Sequence, residues 1–439
     1  MEGEAAHSSL NYAQVKDRSL ASRSYRTKIQ PNNGSDFKSG QVIYIDLPSG
    51  LPATYVDFRN SVFLKFKINI PAGGNLTLDK AFAMSWLRRF TIEATGTQLM
   101  DVQGWNVLCA AFNDLSVGAD YKTNQGTILA GAGQKVGVQL AAGSYTFAVP
   151  LTLNCFSMCQ RAIPLFGNDR IQLRLTVDDP NNWGNWTAGS SVGASISEVE
   201  LTCDFVELSA ESQYLINNSV GGVYNIMTTG IQNYQTSITA SPNTALAINR
   251  QIGISVASLE KMIFVFRNAA NNGAAGKYSL GSRCFPAMTS LQLFVNNLAI
   301  PQRPITGGAT NCSEYLAELL IAQHSLSAID YPSSLNMTGT GDALSCASGV
   351  GQSPYYFSDI TTDTAASVGS FLAGINLETL TQSKSDRLYG GINTISSNVQ
   401  VRLTSQNTRD VLMDVFSFYS QLLTLNTSPS GMNVWETSM

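Results

Sequence analysis

Few residues in this chain are of a type and spacing that could do chemistry. Only two histidines occur, His7 and His324, and a serine or cysteine nucleophile needs an imidazole beside it. His7 lies in a polar N-terminal stretch, and His324 closes an apolar helical pattern, where the helix C-terminus alone favours a cationic ring. Seven cysteines, Cys109, Cys155, Cys159, Cys203, Cys284, Cys312 and Cys346, are odd in number and widely scattered. Cys155 and Cys159 stand four apart, yet with no second such pair a closed zinc site lacks its ligands. The seven read as reduced, mostly buried thiols of an intracellular protein. A glycosidase needs two carboxylates facing each other across a cleft. Asp359 and Asp363, beside Tyr355, Tyr356 and Phe357, are the one aromatic-flanked acidic pair, whereas Glu198, Glu200, Asp178 and Asp179 fall on strand exteriors or turns. Trp183 and Trp186, in an Asn- and Gly-rich loop, suit either stacking on a sugar or anchoring the loop. The Gly- and Ala-rich stretch 118–143 has neither the P-loop nor the Rossmann spacing and reads as a long loop between strands. The expectation is therefore a protein that is not an enzyme, with no catalytic, cofactor-binding or metal-binding residues and no cofactor.

The elements that would have to position any site are β-strands. Val199, Leu201, Cys203 and Phe205 alternate with Glu198, Glu200, Thr202 and Asp204, a period of two that gives one apolar face and one wet face. Val62, Leu64, Phe66, Ile68 and Ile70 alternate in the same way. Further strands are expected at 41–47, 86–94, 99–102, 145–153, 171–177, 252–256, 261–266, 290–295, 398–403 and 411–419. Two short helices interrupt them. One spans Gly104 to Leu115, with Trp105, Leu108 and Phe112 at helical spacing; the other spans Tyr315 to Gln323, opened by a capping box from Asn311 to Glu314. Between the halves, Ser209 caps a short helical connector that ends at Gly221 and Gly222.

At 439 residues the chain is too long for one ordinary core and suits two domains. The pattern predicts an N-terminal arm over 1–40, a first sandwich over 41–208, a connector over 209–222, a second sandwich over 223–426 and a polar tail over 427–439. Charged residues make up only 13%, about half the usual quarter. Low charge fits large areas covered by partner subunits, and equally fits a hydroxyl-rich β-surface. The net charge of −4 argues against broad binding to a nucleic-acid backbone. Only the arm leans basic, with six Lys and Arg against four Asp and Glu over residues 1–40; it reads as a flexible terminus or as an arm that orders against a neighbour or a membrane. No signal peptide is legible, and no run reaches the roughly 18 apolar residues of a spanning helix. The sequons at Asn75, Asn185 and Asn336 are read as loop sequence that happens to match. Many short strands with turn signals in two similar halves predict two antiparallel sandwiches in tandem, without deciding among Greek-key topologies.

Several segments resemble the double jelly-roll major capsid proteins of large and mid-sized double-stranded DNA viruses, the group that includes adenovirus hexon, nucleocytoplasmic large DNA viruses, virophages and Polinton-like elements. In the first half these are Trp86 to Glu93 with Leu99 to Leu108, and Ile163 to Phe166 with Asp169 to Leu175. In the second they are Leu291 to Leu298, Pro301 and Ser313 to Leu320. The resemblance spans most of residues 40–425 and consists of strand ends and helices rather than a signature. It implies an all-β fold of two eight-stranded jelly rolls with short rim helices. It further implies a structural major capsid protein of an icosahedral virion, forming homotrimeric pseudo-hexagonal capsomers. Implied partners are two further copies, neighbouring capsomers, minor capsid and penton proteins, and an internal membrane reached through the arm. Assembly would take place inside the host cell. The alternative expectation is a minor capsid, spike or glycan-binding adhesin protein, motivated by Trp183 and Trp186.

Overall fold

The computed structural model describes residues 22–94, 96–133, 136–159, 161–166, 170–241, 244–307, 313–324, 369–378, 390–407, 409–427 and 433–438. In the first half the strands are β1 (Ser22–Ile29), β2 (Asp36–Phe37), β3 (Val42–Asp46), β4 (Thr54–Val56), β5 (Phe63–Leu78), β6 (Leu87–Ala94) and β7 (Thr97–Gln103). Helices α1 (Trp105–Leu115), α2 (Ala119–Thr123) and α3 (Gln125–Ala130) follow. Then come β8 (Gln139–Pro150), β9 (Ile163–Pro164), β10 (Ile171–Val177), β11 (Gly184–Ala188) and β12 (Ser195–Leu208). The connector α4 (Ala210–Val220) leads to β13 (Val223–Ile238), β14 (Leu246–Ile252), β15 (Leu259–Asn268), β16 (Met288–Val295) and β17 (Leu298–Thr306). Helix α5 (Ser313–Ala322), β18 (Leu372–Asn376), β19 (Val399–Ser405), β20 (Val411–Thr427) and β21 (Asn433–Ser438) complete the second half.

Both halves use one strand order. The first pairs β1-β12-β5-β8 in one sheet and β3-β10-β6-β7 in the other. The second pairs β13-β20-β15-β18 and β14-β19-β16-β17. Taken in chain order, the eight strands of each half occupy corresponding places, and every named pairing is antiparallel. That is the jelly-roll arrangement, built twice. The inner faces follow from alternation: Leu64, Phe66 and Ile68 of β5 and Ile171, Leu173 and Leu175 of β10 are buried, while Lys65, Lys67, Gln172 and Arg174 between them are not. Helices α1 and α5 hold equivalent positions, each following the edge strand of its sheet.

Several expectations are corrected. Residues 22–29, placed in a flexible arm, are β1, whose Tyr25 ring sits 5.7 Å from Phe205. Tyr25, Thr27 and Ile29 alternate with Arg26 and Lys28, and the basic residues hid that period because they face outward to pair with acids of β12. Ser22–Ile29 is thus hydrogen-bonded to the first sandwich through β12 rather than standing apart from it. At the other end, Asn433–Ser438 of the supposed polar tail is β21, held against β20 with Trp435 only 1% exposed. One large aromatic anchors a segment whose composition otherwise reads as solvated. The stretch 118–143 carries α2, α3 and the start of β8, and the loop 180–193 contains β11. The strand expected at 252–256 lies earlier, at Leu246–Ile252, with exposed Leu246 and Ala247 weakening its alternation. Asp359, Asp363, Asn336, Cys312, Cys346, His7 and the cap at Asn311 lie outside the described residues.

Candidate functional site at the junction of the two sandwiches

The edge strand β7 of the first sandwich lies partly under the ribbon β13-β20-β21 of the second, with Leu99, Met100 and Val102 buried and Gln98 and Gln103 exposed. Two side-chain amides satisfy its backbone, Gln421 Nε2 donating to the Leu99 carbonyl at 2.8 Å and Asn233 Nδ2 to that of Gln103 at 2.8 Å. Apolar contacts reinforce them. Phe112 of α1 meets Phe418 with centroids 5.6 Å apart, Phe166 meets Tyr224 at 5.1 Å, and Phe156 meets Trp435 at 6.4 Å. The Thr228 hydroxyl donates to the Cys155 carbonyl. One continuous apolar core consequently runs through both halves.

At one end of this contact lies a buried charge cluster. Asp114, the penultimate residue of α1, receives Lys80 Nζ at 2.9 Å and Lys122 Nζ at 2.8 Å, and pairs with Arg283 from the second half. Lys80 Nζ also reaches Ser370 Oγ at 2.8 Å, and Asp79 accepts the Leu280 backbone N–H at 2.8 Å. All five charged residues are buried. Burial pushes the Asp79 carboxyl up to about 6, the Lys122 amine down to about 7, the Arg283 guanidinium down to about 9, and Lys80 well below the ordinary lysine range. Lys80 and Lys122 both donate to the Asp114 carboxylate, and the group links residues of the two halves. A buried charge without its partner costs several kcal/mol, and the Asp114–Arg283 pair, the Lys80–Ser370 bond and the Leu280–Asp79 bond all run between the halves.

The residues singled out for chemistry do not converge. Trp183 and Trp186 are buried, their indole N–H groups donating to the Asp178 and Pro180 carbonyls at 3.2 and 2.9 Å. That corrects the sugar-stacking reading: Asp179 caps the short turn at Pro180–Asn182, which folds both rings inward. The thiols of Cys109, Cys155, Cys159, Cys203 and Cys284 are buried. Burial raises those of Cys109, Cys155 and Cys159, and takes that of Cys203 to about 12. His324 Nε2 lies 3.3 Å from Glu378 Oε2. Asn185 is buried, and Asn75 accepts from Gln139. Among the described residues no group of three His, Cys, Asp or Glu could hold a metal ion, and no helix is long and apolar enough to cross a membrane. Sequence reasoning missed the charge cluster. Its one local signal is Asp114 as the single charged residue of α1; the partners Lys80 and Arg283 lie far along the chain.

Away from the junction, the outer face of the first sandwich carries a ladder of ion pairs across β1, β12 and β5. Arg26 meets Asp204 at 2.6 Å, Lys65 meets Glu200 at 3.4 Å and Lys67 meets Glu198 at 2.6 Å, with Arg23 and Glu207 at 2.9 Å near the ribbon's end.

No family model and no curated protein matches the sequence. Solved structures do share its fold. The PBCV-1 virus capsid model superposes with a TM-score of 0.61 at 13% identity, covering 97% of this chain and 98% of that one. The Faustovirus major capsid protein gives 0.59 at 9% identity over 93% and 91%. The mavirus major capsid protein gives 0.51 at 11% identity over 100% and 96%. Identity this low carries the architecture alone, and together with the strand order repeated in both halves it establishes that the chain is a double jelly-roll protein.

Proposed function

We propose that this protein is a shell-building subunit, a major capsid protein whose three copies form a pseudo-hexagonal capsomer. The observation that carries the reading is the repeated strand order in two sandwiches locked by a buried junction. Such a subunit is a rigid pair of similar blocks, and three pairs make a ring of six. The contact within the chain is head-to-tail, an edge of one sandwich under the ribbon of the next, and head-to-tail contacts build rings when the rotation closes. The structures that share the fold over their full length are viral capsid proteins, which supports a place in a virion. Neighbouring capsomers, minor capsid proteins and penton proteins are the partners this role calls for. The two domains are taken as residues 22–208 and 223–438, joined by 209–222. A spike or glycan-binding role loses its motive with the burial of Trp183 and Trp186.

Negative-stain imaging and mass photometry of the purified protein test the proposal. Three-fold particles with a hexagonal outline are expected; a monodisperse monomer at every concentration would refute it.

A further inference from the structure

A cleft of about 380 Å³ opens in the first sandwich, lined by none of the residues named at the junction. Its walls come from α1, the 3₁₀ turn Phe82–Trp86, the short helices α2 and α3, and the end of β8 with the residues that follow it. Phe82, Met84, Trp105, Cys109 and Ala130 make a buried apolar floor, with half-buried Val149 at the side. Asn113, Ser116, Tyr121 and Thr152 are half-buried or exposed and stand at the mouth. Among the described residues that line it, none carries a charge.

This space is not an ordinary packing gap. Protein interiors are filled to the density of a crystal, yet here the core is split. Phe82, Ala130 and Ala132 form a second buried cluster, and half-buried Val149 packs against both it and the main core. Residues of both clusters line the cleft, so the cleft is what parts them. The flap of α2 and α3 is also held at a fixed height over α1. Lys122 of α2 is tied to Asp114 of α1 at 2.8 Å and lies 5.6 Å from the centre of the Phe82 ring. Beyond α3, Gly137 donates its N–H to the Leu78 carbonyl at 2.8 Å and Val138 donates to that of Gly131 at 2.9 Å. Tyr121 is set at the mouth by Gly126, where a Cβ would stand 2.5 Å from the tyrosine ring. Burial alone pushes the Tyr121 phenol up, and no hydrogen bond to it is made among the described residues.

We infer that this cleft binds one uncharged single-chain amphiphile, its apolar chain lying between Phe82 and Trp105 and its hydroxyl or carbonyl oxygen accepting from the Tyr121 phenol. The volume falls within the range of about 300–1,000 Å³ typical of small-molecule sites, as does an apolar lining with few polar groups. A charged head is disfavoured, since burying a charge without a partner is costly and the neighbouring cations Lys80 and Lys122 are already held by Asp114. A bound chain would join the two clusters into one core. A concave floor takes the end of one chain and offers no flat face to a bilayer. The site is complete within one chain and stands apart from how copies assemble.

Monolauroylglycerol, supplied below its micellar concentration, is the probe. Native mass spectrometry is expected to show one molecule per chain, calorimetry a saturable heat, and thermal melts a higher melting temperature, because the ligand binds the folded state. Laurate and dodecyltrimethylammonium are expected to bind at least about tenfold more weakly. Thr152→Trp, which blocks the mouth from an exposed position, and Ala130→Phe, which fills the floor, should each abolish saturable binding. Circular dichroism reports which variants fold, and Thr152→Trp keeps the test open if Ala130→Phe does not. Tyr121→Phe should weaken monolauroylglycerol by about three- to tenfold, the worth of one hydrogen bond, and leave the stoichiometry at one. Absence of saturable binding to the wild type would overturn the site, as would binding that a folded Thr152→Trp leaves unchanged. Laurate binding as tightly as monolauroylglycerol would overturn the uncharged head. Flotation with phosphatidylcholine vesicles that Thr152→Trp abolishes would overturn the single molecule in favour of a bilayer surface.

Discussion

Replacing Asp114 with Asn tests whether the buried cluster holds the sandwiches together. The substitution keeps the shape of the side chain and removes one negative charge. In the native protein that carboxylate faces Lys80 at 2.9 Å, Lys122 at 2.8 Å and Arg283, all shut off from water. Breaking a buried pair from one side costs about 3–5 kcal/mol, because the partner stays buried and unpaired. Here three cations lose the same partner, while Asp79 remains nearby and two lysines with lowered affinity for protons can shed charge. The expected loss is therefore within that range rather than a multiple of it. Urea denaturation at neutral pH, followed by tryptophan fluorescence, reads the change as a shift of midpoint at fixed slope. Adding Arg283→Met to Asp114→Asn should recover part of the loss, since one uncompensated charge then disappears. A loss below about 1 kcal/mol, the range of exposed ion pairs, would refute the view that this cluster fixes the junction.

Other outcomes follow from neighbouring features. Trp435→Ala should cost about 3–5 kcal/mol, the range for emptying a buried aromatic site, measured by the same denaturation; a shift below about 1 kcal/mol would mean that β21 does not close the junction. Asp79 titrates near 6 in the folded chain, against an ordinary value of 3.8 once unfolding returns it to water. The folded chain then holds the extra proton between those values, so this group lowers stability as pH rises from about 4 to 6, by up to about 3 kcal/mol. Asp79→Asn should flatten that part of the stability profile, and an unchanged slope would count against burial as the cause. Cutting the chain at a protease site placed within Leu215 to Gly222 should leave two fragments that co-elute on gel filtration, because α4 buries no residue and the buried contacts between the halves are made by other elements. Separation of the fragments would show that the connector, not the core, joins the halves. Native labelling with a thiol reagent should modify no more than Cys312 and Cys346, the five described cysteines being buried; rapid reaction of Cys109 or Cys203 would contradict the packing.

The sequence showed strands wherever a clean period of two survived. β5, β6, β10, β12, β16, β19 and β20 were legible, since their inner faces carry Leu, Ile, Val and Phe at every second position. β1 was not, because Arg23, Arg26 and Lys28 dominate it and the acids that balance them sit on β12. β21 was lost for a related reason: pairing with β20 and one tryptophan hold it, and neither is a local signal. The jelly-roll order itself lay beyond periodicity, which reports faces but not neighbours, and came from resemblance. The charge cluster was least visible. Nothing local distinguishes Lys80 or Arg283 from surface cations, and only the fold brings them to Asp114. Trp183 and Trp186 show the converse, because aromatics in a polar loop look alike whether they face a ligand or fold back onto their own turn.

Carrying two sandwiches on one chain changes the arithmetic of building a ring. Six separate blocks would have to meet through six contacts, each weakened by dilution. With the β7 contact made inside the chain, half of the contacts in the proposed ring form at an effective concentration set by the eleven-residue helix α4, independent of how much protein the cell has made. In the proposed ring only the contacts between copies depend on concentration, while the junction within the chain does not.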